Sequence, residues 1–346
     1  LLYARVLAAA DEVAAALVWL EAHPAAEERE LRLERATILI NAGREAEARE
    51  LLQAVLAEAP ADPEALRALG YMEFHAGNAS EARAAFMTLL AHGQYRNDAL
   101  FYLGGMLEQE GDTEKAAQLY ARIDGGEHLL TAQVRLALMM VQMGRPELGL
   151  EHLERFAERN PAAAVELGIA RAELLARLGR AEEAVPVYDQ LLERDPENVA
   201  LLYERGLLLV ELGRVEAAAS DFARVVELRP EDPTALNALG YTLADGTERL
   251  DEALALITRA LQLDAESPAI LDSMGWVLFR LGRAAEALPY LEAALVRQHD
   301  PEIAAHLGEV LWSLGRVEEA REVWEDALGE FPGSGILLDT MGRLDP

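Results

Sequence analysis

The chain has 346 residues, of which 61 are acidic and 31 are basic, so it carries a formal net charge of −30. This acidic surface repels phosphate backbones, and no run of basic residues interleaved with aromatic ones opposes that repulsion, which argues against nucleic-acid binding. The chain has no cysteine, which excludes disulfides, thiolate zinc sites and cysteine nucleophiles.

The segment 1–28 is predicted to be a partial N-terminal repeat. Its opening letters, LLYARVLAAADEVAAALVWLEAHP, already have a helical pattern, and they begin at Leu1 rather than at a methionine. We therefore expect the chain to be a fragment whose targeting segment has been removed. No run in the sequence approaches the ~20 apolar residues that a membrane-spanning helix needs.

Two series of glycines divide residues 29–334 into units of about 34 residues. We predict nine full repeats, starting near residues 29, 63, 97, 130, 165, 199, 233, 268 and 301. The first series is a Gly-Arg dipeptide, at Gly43-Arg44, Gly144-Arg145, Gly179-Arg180, Gly213-Arg214, Gly282-Arg283 and Gly315-Arg316. The second series precedes the turn of its own unit, at Gly70, Gly104, Gly206, Gly240, Gly275 and Gly308.

One unit, LDSMGWVLFRLGRAAEALPYLEAAL at residues 271–295, illustrates the pattern. Apolar residues recur at intervals of three and four in both halves, which predicts two amphipathic helices. Gly282 is expected to end the first helix in the left-handed conformation. Gly275 and Ala287 are expected where the two helices approach closely, because a larger side chain would push them apart.

Two features depart from the regular unit. The letters RIDGGEHLL shorten a second helix, so residues 124–129 are predicted to mark a bend or a boundary between sub-domains. The repeat that starts near 233 has an extra turn residue around Asp245-Gly246. The last segment, 335–346, is predicted to be a C-terminal capping helix.

These glycine and alanine positions are those of the tetratricopeptide repeat, and the chain resembles that family over nearly its whole length. The unit LGYTLADGTERLDEALALITRALQLD at residues 239–264 and the unit at 271–295 match the pattern best. The resemblance implies an all-α fold, a right-handed superhelical solenoid of tandem helix-turn-helix repeats. The apolar periodicity is consistent with it, since each helix pair has an apolar face that only its neighbour can cover.

The sequence offers no set of residues that would support an enzyme. Neither HExxH, nor GxGxxG, nor the phosphate-binding loop occurs in it. Acidic runs such as AEERELRLER alternate with arginines at helical spacing, which is typical of solvated helix faces. We predict no catalytic residue, no metal and no cofactor. The histidines are scattered over different repeats, at His23, His75, His92, His128, His152, His299 and His306.

The remaining function is binding of a protein or peptide. In the tetratricopeptide family the first helix of each pair lines a concave face, with positions two, five, nine, twelve and thirteen pointing inward. Carried over by register, the resemblance gives candidate binding residues, many of them aromatic. They are Arg67, Tyr71, Phe74, Phe101, Tyr203, Asn237, Tyr241, Asp272, Trp276, Phe279, Arg280, Glu309 and Trp312.

Two interpretations of the aromatic residues stay open. They can fill space between adjacent first helices, which applies in particular to Tyr71, Tyr241 and Phe279. They can also be anchors for a partner, which Trp276 and Trp312 suit because tryptophan combines a large apolar body with one N–H donor. With a single lysine in the chain, capture of a C-terminal carboxylate by the family's lysine and asparagine pattern is excluded. We expect an extended or helical segment instead.

The C-terminal half looks like that of long tetratricopeptide lipoproteins of the proteobacterial outer membrane, a group that includes the lipoprotein binding partner of the carboxyl-terminal processing protease. The resemblance implies a non-catalytic adaptor that binds and activates this periplasmic protease and recruits cell-wall hydrolases. It also implies a periplasmic location with a lipid anchor outside this chain, although a cytoplasmic location stays open. Two alternatives remain: an envelope assembly scaffold for polysaccharide export, pili or outer-membrane proteins, and an accessory region of a larger enzyme.

Overall fold

The computed structural model describes residues 2–10, 12–23 and 28–344, and every regular element in these ranges is helical. The predicted all-α fold of tandem helix pairs is therefore confirmed. The chain divides into two compact units, Leu1–Ala170 and Arg171–Pro346, and each is described by itself. Across the described ranges, no helix is long and apolar enough to span a membrane.

The first unit contains five successive helix pairs in its described residues. The two helices of a pair pack against each other, and the second helix of one pair packs against the first helix of the next. The pairs are α1 (Leu2–Ala9) with α2 (Val13–Ala22), α3 (Arg29–Asn41) with α4 (Glu45–Glu58), α5 (Pro63–His75) with α6 (Ala79–Ala91), α7 (Arg96–Gln109) with α8 (Thr113–Tyr120), and α9 (Leu129–Gln142) with α10 (Pro146–Arg159).

A short 3-10 turn, Pro161–Ala163, leads into α11 (Ala164–Arg177), which crosses the division between the units. The second unit continues with α12 (Ala181–Arg194), which packs against the next helix along the chain. Four pairs follow: α13 (Val199–Glu211) with α14 (Val215–Leu228), α15 (Pro233–Gly246) with α16 (Leu250–Leu263), α17 (Pro268–Arg280) with α18 (Ala284–Arg297), and α19 (Pro301–Ser313) with α20 (Val317–Glu330). The last helix, α21 (Gly335–Leu344), packs on α19 and α20.

The turns between paired helices follow from the Gly-Arg dipeptide. Gly282 has φ 76°, the left-handed conformation that glycine adopts without a steric penalty. The backbone N–H of Arg283 donates to the carbonyl of Leu278 at 2.9 Å, which closes the last turn of α17. The side chain of Arg283 then pairs with Glu286 in the first turn of α18, with nitrogen–oxygen distances of 2.7 and 2.8 Å. The same arginine–glutamate pair recurs at Arg44–Glu47, Arg180–Glu183 and Arg316–Glu319.

The second series of glycines lies where paired helices approach each other. A Cβ added at Gly275 would be 2.4 Å from Cγ of Leu291 on α18. At Gly308 the added atom would be 2.0 Å from Nε1 of Trp324, a side chain that is fully buried. The predicted close approach at Gly275 is confirmed, and the tight contact fixes how near α17 lies to α18.

The helices that open the nine predicted repeats begin at residues 29, 63, 96, 129, 164, 199, 233, 268 and 301. Helix α8 ends at Tyr120 after 8 residues, whereas α4 has 14 residues. The two compact units divide between Ala170 and Arg171. A bend or sub-domain boundary at 124–129 stays a prediction.

Candidate functional site

A groove opens on the first unit, where the first helices α3, α5 and α7 follow one another. It contains a cavity of about 580 Å³. Two of the predicted residues, Arg67 and Tyr71 on α5, line this cavity together with Tyr95 and Tyr102. The Tyr71 side chain is 41% exposed, so an aromatic face is accessible to a partner. The structure thus brings part of the predicted set together at one open surface.

The guanidinium of Arg67 is held by two carboxylates and one aromatic ring. It donates to the carboxylate of Asp98 on α7 and, at 3.1 Å, to Oε1 of Glu127 in the loop before α9. Its Cζ lies 5.0 Å from the centre of the Tyr95 ring, within the range of a cation–π contact. Tyr95 has φ 44°, a conformation that a bulky residue adopts only where its surroundings hold it. Arg67 is therefore positioned by the fold before any partner binds.

The floor of the groove is aromatic. The ring of Tyr102 stacks on Phe86 with 4.8 Å between centroids, and Phe74 meets it edge-on at 5.2 Å. Tyr71 lies 6.0 Å from the same ring, also edge-on. Burial raises the pKa of Tyr102 to about 12, so its phenol stays protonated at neutral pH. Phe74 thus packs beneath the groove, and only Tyr71 of this cluster is well exposed.

Phe101, another predicted residue, also packs against protein. Its ring stacks on the imidazole of His128 with 4.2 Å between centroids and 4° between planes. The guanidinium of Arg135 on α9 lies over the same ring at 5.9 Å. The space-filling interpretation therefore describes Phe74 and Phe101 better than the anchor interpretation does.

One group of side chains in the first unit has the donor atoms of a metal site. Single ligand atoms of Asp98, Glu127 and His128 all lie within 4.8 Å of one another. The Arg67 guanidinium, however, already bonds both carboxylates and supplies the positive charge there. A divalent cation would have to displace this arginine, so the arrangement fits an internal ion pair better than a metal ion.

The second unit brings Tyr241, Asp272 and Trp276 together, with three residues that the register did not select. Nδ1 of His306 on α19 lies 3.0 Å from Oδ1 of Asp272 on α17. The indole of Trp276 stacks on the His306 ring at 4.1 Å, and its Nε1 donates to Oδ1 of Asp245 at 3.1 Å. The Tyr241 hydroxyl on α15 donates to Glu302 on α19. These contacts tie α15, α17 and α19 to one another.

The expected exposure of Asp272 and Trp276 is corrected by the structure. Asp272 is 6% exposed and Trp276 is 8% exposed, so both are buried. The physical reason is that α17 packs against both α15 and α19, so side chains of these two helices cover Asp272 and Trp276. Whether either residue contributes to binding stays a prediction.

Burial lowers the pKa of His306, but the adjoining Asp272 carboxylate raises it by more, with smaller contributions of the same sign from Glu302 and Asp245. The net direction is upward, so the protonated imidazole is favoured inside the protein. The pair is thus a buried charge with its counter-charge, an arrangement whose main effect is to fix geometry between helices. Burial, followed by the charge of Glu302, raises the pKa of Tyr241.

Other predicted residues on α15 and α17 also serve the fold. The guanidinium of Arg280 donates to the backbone carbonyls of Ala244 and Asp245, both at 2.7 Å, in the last turn of α15. A cation is favourable there because the helix C-terminus carries partial negative charge. Phe279 lies 5.5 Å from the Trp276 ring. Oδ1 of Asn237 is buried and accepts no hydrogen bond in the described part of the chain.

Three predicted residues lie elsewhere in the second unit. Tyr203 meets the ring of Phe222 edge-on at 5.5 Å. Glu309 accepts from Arg343 of α21 at 2.9 Å. Trp312 is half-buried and stacks on Trp324 at 5.9 Å. The predicted set is therefore spread over both units.

Reasoning from the sequence missed Tyr95, Tyr102 and His306. Tyr102 and His306 are both the sixth residue of their predicted repeats, next to a position that the register selected. Examining the neighbours of position five for aromatic rings would have found both. Tyr95 precedes α7 and lies outside the repeat pattern, so only the folded structure reveals it.

The comparisons with known proteins agree with this architecture. Matches to a family model described as tetratricopeptide repeat fall at residues 33–95, 76–127, 135–199, 169–230, 203–268 and 273–335. A curated relative, the TPR repeat-containing protein PA4667 of Pseudomonas aeruginosa, is 35% identical over 200 residues. The aligned region is 58% of this chain and spans only 34% of that relative's length.

A solved structure shows the same fold, and a second one is similar over part of the chain. A tetratricopeptide repeat protein from Parabacteroides merdae matches with a TM-score of 0.55 and 17% identity, over 72% of this chain and 99% of the other. A thermophilic tetratricopeptide protein from Thermus thermophilus, TTC0263, matches with a TM-score of 0.46 and 25% identity, over 52% of this chain and 96% of the other.

Proposed function

Because the chain belongs to the tetratricopeptide repeat family, we propose that it is a non-catalytic scaffold whose first unit holds a segment of a protein partner. The groove described above is the binding surface in this proposal. A partner side chain would lie against Tyr71, and a carbonyl or carboxylate of the partner would approach the Arg67 guanidinium, which the protein already holds in place.

One observation carries the proposal: an open cavity of about 580 Å³ with an exposed tyrosine over an aromatic floor. Aromatic side chains supply most of the binding free energy at many protein interfaces, because they present a large rigid surface at low entropic cost. The carboxylates of Asp98 and Glu127 balance the charge of Arg67. Its guanidinium therefore contributes oriented hydrogen bonds to a partner more than net positive charge. An extended or helical segment of a partner could lie in such a groove.

The finer proposal concerns the partner and the compartment. We propose that the scaffold acts in the bacterial cell envelope, anchored at the outer membrane, and that its partners are a periplasmic carboxyl-terminal processing protease and the cell-wall hydrolases which that protease degrades. The support is the resemblance of the C-terminal half to outer-membrane tetratricopeptide lipoproteins. The 35% identity to a Pseudomonas protein over 200 residues is consistent with it.

The experiment compares the wild-type chain with Tyr71→Ala for binding to a purified carboxyl-terminal processing protease, measured by calorimetry. We expect the variant to bind at least about tenfold more weakly, because a contact worth more than ~1.4 kcal/mol is lost. The matched control is Met87→Ala on α6, which removes a 54% exposed apolar side chain from the second helix of the same pair. Circular dichroism checks that both variants remain folded.

The possible outcomes test the groove and the identity of the partner separately. Loss of protease binding in Tyr71→Ala but not in Met87→Ala supports both the groove and the partner. If the wild-type chain binds no protease but pulls export or pilus components from a periplasmic extract through Tyr71, the groove stands and the assembly-scaffold alternative replaces the protease partner. Equal binding by wild type and Tyr71→Ala refutes the groove.

A further inference from the structure

The Arg67 guanidinium in the groove of the first unit binds a carboxylate that comes from a distant part of the chain. Oε1 of Glu127 accepts from Nη2 of Arg67 at 3.1 Å, across a separation of 60 residues in sequence. Glu127 lies in the irregular segment 121–128 between α8 and α9, and it lines the same cavity as Arg67. This carboxylate occupies the position in which a carboxylate of a bound partner would meet Arg67.

The two carboxylates on Arg67 differ in how firmly the protein holds them. Asp98 lies in the first turn of α7, and its side chain is 14% exposed. The Glu127 side chain is 65% exposed. Exposed ion pairs contribute little to stability, because water and salt solvate both charges when they separate. Glu127 is therefore the partner that Arg67 can exchange, whereas Asp98 is the fixed one.

The backbone on both sides of Glu127 is anchored, so the exchange needs only a side-chain rotation. Nδ2 of Asn97 donates to the carbonyl of Gly125 at 2.9 Å. On the other side, the His128 ring stacks on Phe101 with 4.2 Å between centroids. Exposed side chains change rotamer on the picosecond to nanosecond timescale. The Glu127 carboxylate can thus leave Arg67 while the segment that carries it stays in place.

Arg67 keeps two contacts when Glu127 leaves. The carboxylate of Asp98 and the ring of Tyr95, 5.0 Å from Cζ, continue to orient the guanidinium. The exposed ring of Tyr71 follows Arg67 by four residues on α5, which places the two side chains on one face of that helix. The groove therefore offers a cation and an aromatic surface about one helical turn apart.

The charges favour an acidic side chain of the partner at Arg67. Exchange of one carboxylate for another leaves the charge around the guanidinium unchanged. A basic side chain would meet it with like charge, and a neutral one that displaced Glu127 would weaken its electrostatic balance. The chain has a net charge of −30, but this long-range repulsion of an acidic partner is screened at physiological salt.

We propose that the groove binds a segment with an aspartate or glutamate next to an apolar residue, and that Glu127 is an autoinhibitory contact which the acidic side chain of the partner displaces from Arg67. The carboxylate of the partner then accepts from Nη2 of Arg67, and its apolar side chain lies against Tyr71. This inference rests on the groove proposed above as the binding surface, and it does not depend on which protein the partner is.

The test begins with a random peptide library displayed on phage and selected on the full chain. Clones that also bind Tyr71→Ala are discarded, because they bind elsewhere. We expect the remaining peptides to contain an acidic residue next to an apolar one. A selected peptide and its version with glutamine for glutamate are then compared by fluorescence anisotropy at about 150 mM salt. The acidic peptide should bind at least about threefold more tightly, because a hydrogen bond to a charged group is gained.

The decisive variant is Glu127→Gln, which removes the competing charge and keeps the shape. We expect it to bind the acidic peptide about three- to fivefold more tightly than the wild type does, and the glutamine peptide with unchanged affinity. A gain confined to the acidic peptide is the coupling that a double-mutant cycle measures. The matched control is Glu30→Gln, because Glu30 is another exposed glutamate that lines the cavity. It should bind the acidic peptide as the wild type does.

The results that overturn this inference differ from those that refute the groove. Peptides that depend on Tyr71 but show no preference for an acidic residue would leave the groove standing and make the inference wrong. An equal gain in Glu127→Gln and Glu30→Gln would do the same, since only the overall charge of the groove would matter. Selection of lysine or arginine, with weaker binding in Glu127→Gln, would make Glu127 a contact for a basic partner instead. If no selected peptide depends on Tyr71, both proposals are wrong.

Discussion

Replacing Trp276 with alanine tests whether this side chain belongs to the core or to a binding surface. The indole is 8% exposed, stacks on the His306 ring at 4.1 Å and donates to Asp245 at 3.1 Å. It therefore joins α17 to α19 through the ring contact and to α15 through the hydrogen bond. The substitution removes both contacts and opens a cavity between three helices.

The expected loss of stability follows from the burial of the Trp276 indole. Truncation of a buried tryptophan to alanine costs about 3–5 kcal/mol, because the transfer free energy of the ring is lost and the cavity does not fully collapse. Asp245 is exposed, so water replaces the lost indole donor and little further cost arises there. Trp276→Phe keeps a ring on His306 and loses only the N–H, so we expect a loss of about 1 kcal/mol.

The assay must be local, because repeat arrays unfold in parts and a single melting temperature mixes them. Native-state hydrogen exchange of the amides in α15, α17 and α19 reports the stability of that region. We expect Trp276→Ala to accelerate exchange there by about two to four orders of magnitude, since each 1.4 kcal/mol is tenfold. Exchange in the first unit should not change.

The control is Trp312→Ala, which removes a half-buried tryptophan near the end of α19. It should accelerate exchange less, and mainly in α19 to α21. If Trp276→Ala leaves the exchange of α17 and α19 as it is in the wild type, the side chain does not hold these helices together. The interpretation of Trp276 as a core residue would then be wrong, and an anchor role would regain support.

The remaining predictions concern the same unit. Because the folded-state pKa of His306 is raised above its usual value of about 6.5, the stability from its pair with Asp272 is complete below that pH and falls as the pH rises through the raised value. Urea unfolding of the wild type between about pH 5 and 9 should show this fall, whereas His306→Gln should lack it, and equal slopes would refute the assignment. Gly308→Ala would place a Cβ 2.0 Å from Nε1 of Trp324 and should destabilise the α19–α20 pair by about 1–3 kcal/mol. Gly329→Ala in α20 is its control, since its Cβ would meet nothing within 4 Å, and a comparable loss there would contradict the steric argument.

The periodicity of the sequence was enough to predict the elements and their pairing. Each unit must bury its apolar face against the next, so glycines and apolar residues recur at the same places in every unit. Gly282 illustrates this. Its left-handed φ of 76° at the end of a helix is a local requirement of the turn, so the sequence alone predicts it. Gly275 does so as well, because a close approach between helices of one pair depends on residues that are near in sequence.

Exposure and electrostatic pairing were decided only by tertiary structure. Trp276 and Tyr71 have the same register position in their repeats, yet one is 8% exposed and the other is 41% exposed. The difference comes from the side chain that the next repeat supplies. The His306 ring stacks on Trp276 at 4.1 Å, whereas Tyr102, at the same repeat position as His306, meets the Tyr71 ring only edge-on at 6.0 Å. A repeat pattern predicts which positions of each helix pair face the neighbouring pair. It does not specify which side chain of the actual neighbour fills a position, and that determines whether the position is core or surface.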